Sequence, residues 1–344
     1  MGGFLIIVLA VIIIFFIVSR LNNQKSQSRG SRRAASAKRK PPEALGVPSG
    51  HPARPAAERL EAVLTADMEA RVKDRVLRNR PSMRDGEWQW LWFELKRYFL
   101  MCAIMRGVPM YSEKVDEVWH EMLMFTREYE QFCIQLSGGF IHHAPHGDGA
   151  GPEQGERAWF DWIYGELFVQ TPVSSQLWGT FYRTPLSPQR MEALEQLSVD
   201  ELRGHYFNVK AAEKFPDLSA AVDYLIQRGQ ELAADARSGT GNPYDRYETG
   251  RGAQWSDPLM MTGALSGALF MSSMLPPDQF ANEMDAAHRK EQGGSASSCG
   301  SNSYVCDSDS SGSGGHDGGG SSCGSGSDGG GSSCGGGGCG GGGD

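Results

Sequence analysis

The sequence predicts an all-α protein: one helical domain of six to seven helices, preceded by a single transmembrane helix and followed by a disordered Gly/Ser/Cys tail. Three observations predict it. From about residue 57 to 238 the apolar residues recur with a period near 3.6. No run shows sustained period-2 alternation with hairpin punctuation. Composition is also partitioned along the 344 residues: all eight Trp lie between Trp88 and Trp255, and 22 of the 45 Gly fall in residues 293–344. A chain of this length holds one or two domains with real cores, which excludes wholesale disorder.

The first element is the apolar head. Residues 2–19 carry no charge, and at about 1.5 Å per residue they reach roughly 27 Å, close to a bilayer core of about 30 Å. No positive region precedes the run, and it ends Phe16-Ile17-Val18-Ser19-Arg20 without a small-residue cleavage pattern. A retained anchor is therefore expected rather than a cleaved signal peptide. Arg20, Lys25, Arg29, Arg32, Arg33, Lys38, Arg39 and Lys40 then place eight positive charges before the first acid, Glu43. Lys and Arg beside a span are held on the cytoplasmic side. The expected topology is single-pass in a bacterial inner membrane, N-terminus out and body in the cytoplasm. Subtracting those eight charges from the net −8 leaves −16 for the rest of the chain. That is a poor footprint for a polyanion, so nucleic acid is not an expected partner. Residues 20–56 read as a basic and then Pro-rich linker.

Residues 57–240 form the predicted helical domain. Leu60 to Leu77 is a charged helix stopped by Pro81. Trp88, Trp92, Leu95, Phe99 and Cys102, spaced 4, 3, 4 and 3, mark one face of a second helix that ends near Gly107-Val108-Pro109. Ser112 is suited to cap a third helix, with Glu113 and Asp116 in its favoured acidic first turn. That helix is expected to run unbroken through Val115, Val118, Trp119, Met122, Phe125, Tyr129, Phe132 and Leu136 to Gly138-Gly139. Shorter helices follow around Trp159–Phe168, Pro188–Leu197, Ser198–Tyr206 and Leu218–Ala234, with a capping box at Ser198 and Glu201. Residues 241–292 read as a linker. Its charge-free segment 258–277 is expected to be a mobile apolar segment, or a helix docked on the body or a membrane surface, rather than a span. Residues 293–344, with 22 Gly, 15 Ser, five Cys and no Lys or Arg, bury too little apolar surface to offset ordering entropy. Cys299, Cys306, Cys323, Cys334 and Cys339 contain no C-x-x-C, so the tail reads as a flexible spacer.

Metal-capable side chains gather between residues 116 and 146: Asp116, His120, His142, His143 and His146, with Cys133 among them. Asp116 and His120 are i and i+4 on one helix and face the same way. On an unbroken helix Cys133 stands about 19 Å along the axis from His120, too far to share an ion. An extended chain from Gly138 reaches roughly 30 Å by His146, so His146 alone of the downstream histidines is expected to return to His120; His142 and His143 fall short. The leading reading is structural, with His120 a core histidine bonded to Asp116 and His142 and His143 capping helix carbonyls. A divalent metal such as zinc is the alternative, and no other cofactor is expected. The sequence contains no G-x-S-x-G, Walker A, H-E-x-x-H or dinucleotide fingerprint.

The stretch V-D-x-V-W-H-x-x-x-x-x-T-x-x-Y-x-x-F-C, followed by G-x-F-x-H-H-x-P, resembles the glycine-rich domain-containing proteins of bacteria and plants. Trp119, His120, Thr126, Tyr129, Phe132, Cys133, Phe140, His142, His143 and Pro145 carry the motif. The resemblance implies a helical domain and a Gly-rich C-terminal region, and it implies no reaction. The expected function is a membrane-anchored helical binding or scaffold domain with an unidentified protein partner. The alternative is a metal-dependent, hydrolase-like enzyme using His120 and the cluster His142–His146.

Overall fold

A computed structural model describes residues 40–143, 155–239 and 258–291, all within one compact unit of the chain. Among the described residues it is all-α, with thirteen α-helices. Extended pairing is limited there to one antiparallel bridge between Met105 and Phe207. The helices are α1 (Arg54–Val63), α2 (Ala66–Asn79), α3 (Asp85–Ile104), α4 (Glu113–Leu123), α5 (Thr126–Ser137), α6 (Glu156–Leu167), α7 (Pro172–Trp178), α8 (Pro188–Gln196), α9 (Val199–Tyr206), α10 (Val209–Lys214), α11 (Pro216–Ser238), α12 (Pro258–Ser273) and α13 (Pro277–Glu291).

The expected six or seven helices become thirteen because two long ones are broken and four further helices, α7, α10, α12 and α13, are present. Thr65 interrupts the first, its hydroxyl accepting from Met68 N at 3.2 Å to cap α2. The helix expected from 112 to 136 divides into α4 and α5 at Met124-Phe125, with neither Gly nor Pro at the break. Tertiary packing supplies the reason. Phe99 on α3 stands at the junction, with ring centroids 5.5 Å from Trp119, 6.2 Å from Tyr129 and 5.0 Å from Phe132. A straight helix spreads Trp119 and Phe132 along roughly 20 Å; only a folded one lays both on a single ring. The Phe125 ring at the break lies under the Arg71 guanidinium of α2, 4.9 Å from its centroid.

α3 is the centre of the fold. Its sequence spacing marks one apolar face, but Trp90, Leu91, Phe93, Tyr98, Leu100 and Met101 are buried as well. A helix that is apolar on all sides belongs inside a domain. Its two charged interior residues, Glu94 and Arg97, are wholly buried and serve each other's neighbours. Glu94 accepts from Tyr164 Oη at 2.7 Å, Trp178 Nε1 at 2.8 Å and Ser174 Oγ at 2.9 Å. Arg97 donates to Leu45 O at 2.8 Å and Val169 O at 3.0 Å. These bonds hold the turn at Glu43–Gly46, where Ala44 and Leu45 take left-handed φ of 46° and 56°. A Cβ on Gly46 would stand 2.5 Å from Arg97 Nη2, so only glycine fits there.

Two corrections concern the ends of the chain. Within the expected linker 241–292, residues 258–291 form α12 and α13, docked on the body. Phe270 of α12 packs on Trp162 at 5.3 Å, Ser273 Oγ accepts from Leu186 N at 3.0 Å, and Asp285 of α13 pairs with Arg183. Ala264, Leu265, Ala268, Leu269 and Phe270 of the charge-free segment are thus covered by protein, while Met274 and Leu275 stay exposed. No helix among the described residues is long and apolar enough to cross a membrane. The single-pass inner-membrane placement therefore finds no support and is withdrawn. The expected anchor 2–19, the basic run before Lys40 and the tail 293–344 lie outside the described residues.

Candidate metal centre

α4 is amphipathic, and its two polar sides do different work. Ser112 caps it, the hydroxyl accepting from Val115 N at 3.4 Å. Val115, Val118, Trp119 and Met122 face the core. Glu117 and Glu121 face α2, where Arg80 donates to Glu117 at 2.9 Å and Arg75 to Glu121 at 2.7 Å. Asp116 and His120 remain on the third side, four residues apart and pointing the same way.

The break at Met124-Phe125 brings the chain back to them. α5 runs alongside α4 and ends at Gly138, whose left-handed φ of 78° turns the backbone out of the helix. Five residues later His143 arrives beside Asp116, its Nε2–H donating to Asp116 Oδ1 at 2.7 Å. His120 Nε2 lies 3.8 Å from the other carboxylate oxygen, Oδ2. The two imidazoles stand with centroids 4.5 Å apart, and Trp119 packs edge-on to His143 at 4.5 Å. One ligand atom from each of Asp116, His120 and His143 falls within 4.8 Å of the others.

This geometry corrects three expectations. His143 does reach the site, because the helix it had to retrace is folded in half. His120 is not a core histidine: its side chain is 55% exposed, against 17% for Asp116 and 13% for His143. His143 meets a carboxylate rather than a helix carbonyl. Of the other sequence candidates, exposed His142 packs on Phe140 at 4.9 Å and stays outside the cluster. His146 and Pro145 lie outside the described residues. Cys133 is buried in the core, and burial pushes its thiol pKa upward, as it pushes Cys102 up to about 12. Protonated thiols are poor metal ligands. Phe132 belongs to the Phe99 junction, and Thr126 opens α5 at the surface.

Sequence reasoning marked Tyr129 as a motif residue but not as the one that carries the loop to the site. Tyr129 Oη accepts from Trp119 Nε1 at 3.1 Å and donates to Ile141 O at 2.7 Å, two residues before His143. Its signal was the Trp119–Tyr129 spacing of ten residues, which an unbroken helix separates by about 15 Å.

A family model described as UCP032817-like matches residues 58–157, that is 100 of the 344. The matched segment runs from α1 into the first turn of α6 and contains every residue of the centre. No curated protein and no solved structure matches the chain.

The donor set suits a divalent ion. Two imidazoles and one carboxylate are a set used by catalytic zinc, which keeps a further position open, whereas structural zinc sites are closed by four protein ligands. Bonds of about 2.0–2.2 Å to a tetrahedral ion put neighbouring ligand atoms about 3.3 Å apart. The 2.7 Å pair must open a little and the 3.8 Å pair close a little. Exposed His120 is free to make most of that adjustment.

Proposed function

We propose that the helical domain binds a divalent metal ion of the zinc type through Asp116, His120 and His143. One observation carries this reading: three ligand atoms from two separate elements converge within 4.8 Å. A hydrogen-bonded Asp–His pair alone would tie His143 to α4, but it leaves unexplained the second, exposed imidazole facing the same carboxylate. Binding exchanges the proton between Asp116 and His143 for the ion. Three protein ligands leave one coordination position for water or for a group of another molecule. The resemblance to glycine-rich domain-containing proteins agrees with this reading, since Trp119, His120, Tyr129 and His143 belong to the shared motif and also build the centre.

Zinc content tests the proposal. Cysteine thiolates are zinc ligands in general, so the measurement uses the full chain with Cys299, Cys306, Cys323, Cys334 and Cys339 replaced by Ser. One ion per chain is expected, lost on Asp116→Asn or His143→Ala and kept on His142→Ala. Zinc at about 100 times its Kd then raises stability by about 2.7 kcal/mol. A metal-free protein whose melting temperature ignores both zinc and chelator defeats the proposal.

A further inference from the structure

We infer that Tyr129 clamps Ile141 and so positions His143, which makes the buried phenol a positioning residue of the metal centre. The inference rests on the metal-binding reading and adds the part of the molecule that controls it. His143 follows a glycine pair and belongs to no helix, so nothing in its own element fixes it. Tyr129 lies on α5 and is fully buried. The Tyr129 hydroxyl donates to Ile141 O at 2.7 Å. The Ile141 carbonyl is thus taken by a buried side chain of α5, and the chain leaves Ile141 in a fixed direction.

Trp119 closes the arrangement. Its indole N–H donates to the Tyr129 oxygen at 3.1 Å, while its ring meets the His143 imidazole at 4.5 Å. The helix that supplies Asp116 and His120 is therefore bonded to the residue that delivers the third ligand. This accounts for a tyrosine rather than a phenylalanine: a buried hydroxyl with both a donor and an acceptor role filled is placed, not merely packed. Outer partners of this kind commonly change metal affinity 10- to 100-fold when removed.

The test uses the full chain with the five tail cysteines replaced by Ser, and Co(II) as the spectroscopic probe. Tyr129→Phe keeps ring and volume and removes only the hydroxyl. In Tyr129→Phe, Co(II) affinity is expected to fall by about 10-fold or more, towards that of His143→Ala. The helical circular dichroism should stay unchanged. In the metal-free protein the imidazole 15N resonance of His143 should lose the signature of its bond to Asp116. Wild-type affinity with an unmoved His143 resonance in Tyr129→Phe overturns the clamp. A Tyr129→Phe chain that fails to fold also overturns it, since the hydroxyl would then serve the core. If the parent binds no Co(II) but Tyr129→Phe still frees His143, the clamp stands and the metal reading fails.

Discussion

The Glu94–Arg97 cluster on α3 and the Asp116–His120–His143 cluster on α4 use similar chemistry and are finished to different degrees. In the first, both charges are wholly buried and each oxygen of Glu94 has donors. In the second, Asp116 is held by one histidine, while the other stands 3.8 Å off and half in solvent. A saturated cluster has no valence left for a ligand, so its value is structural. An incomplete one that water reaches keeps ligand atoms available. Degree of satisfaction, more than residue type, separates the two.

The largest effect should come from breaking the saturated cluster. Arg97→Met leaves Glu94 as a buried carboxylate without its counter-charge and also frees the carbonyls of Leu45 and Val169. Loss of one partner of a buried pair costs about 3–5 kcal/mol, so urea denaturation should show a domain close to its stability limit. Replacing both residues, as Glu94→Leu with Arg97→Met, should recover part of that loss. A single variant of wild-type stability would mean that water reaches this pair, and the contrast with the surface cluster would collapse.

His51 offers a histidine of a third kind, half-buried and uncharged. Its Nδ1 accepts from Ala53 N at 3.0 Å, which puts the proton on Nε2, and its ring packs against Tyr224. Burial pulls its pKa down to about 4 from the ordinary 6.5. The unfolded chain therefore takes up a proton that the native state refuses. Stability is full above about pH 6.5 and falls as the pH drops towards 4, by at most about 3 kcal/mol from this residue. Asp161, pushed up to about 6 by burial, acts in the opposite sense over part of that range. The informative quantity is thus the difference between two proteins. His51→Asn, with an oxygen in place of Nδ1, should flatten the wild-type pH profile. Identical slopes would show that His51 takes its proton without cost.

How much of this was legible in the sequence varies by element. The apolar period and the caps at Ser112 and Ser198 placed helices correctly, because a helix boundary is a local event. The α4–α5 break was not legible. The apolar spacing from Val115 to Leu136 continues across it, and its cause is Phe99, a residue of another helix. That break also decides which histidine completes the centre, so Asp116 and His120 were readable as a pair while His143 was misjudged on reach. Burial of α3 on all sides was readable in principle from Trp90, Phe93 and Leu100 off the marked face. Glu94 and Arg97 hid it, since charges in a sequence look solvated until their partners are known.

The smallest effect tests whether the incomplete cluster is independent of the ion pairs behind it. Arg75 on α2 donates to Glu121 at 2.7 Å, one residue beyond His120 and on a different side of α4. Its side chain is 36% exposed, and partly exposed pairs of this kind contribute about 0.2–1 kcal/mol, less in high salt. Arg75→Ala should therefore lower stability by no more than about 1 kcal/mol, with the difference shrinking in 1 M NaCl. Because α4 is also fixed to the core by Val115, Trp119 and Met122, its register should survive. Zinc affinity is accordingly expected within about 2-fold of wild type, by the near-additivity of sites that share no partner. A larger fall in affinity would join the two sides of α4 into one network. The centre would then extend to Glu121 and α2, and the line drawn between a finished cluster and an open one would have to move.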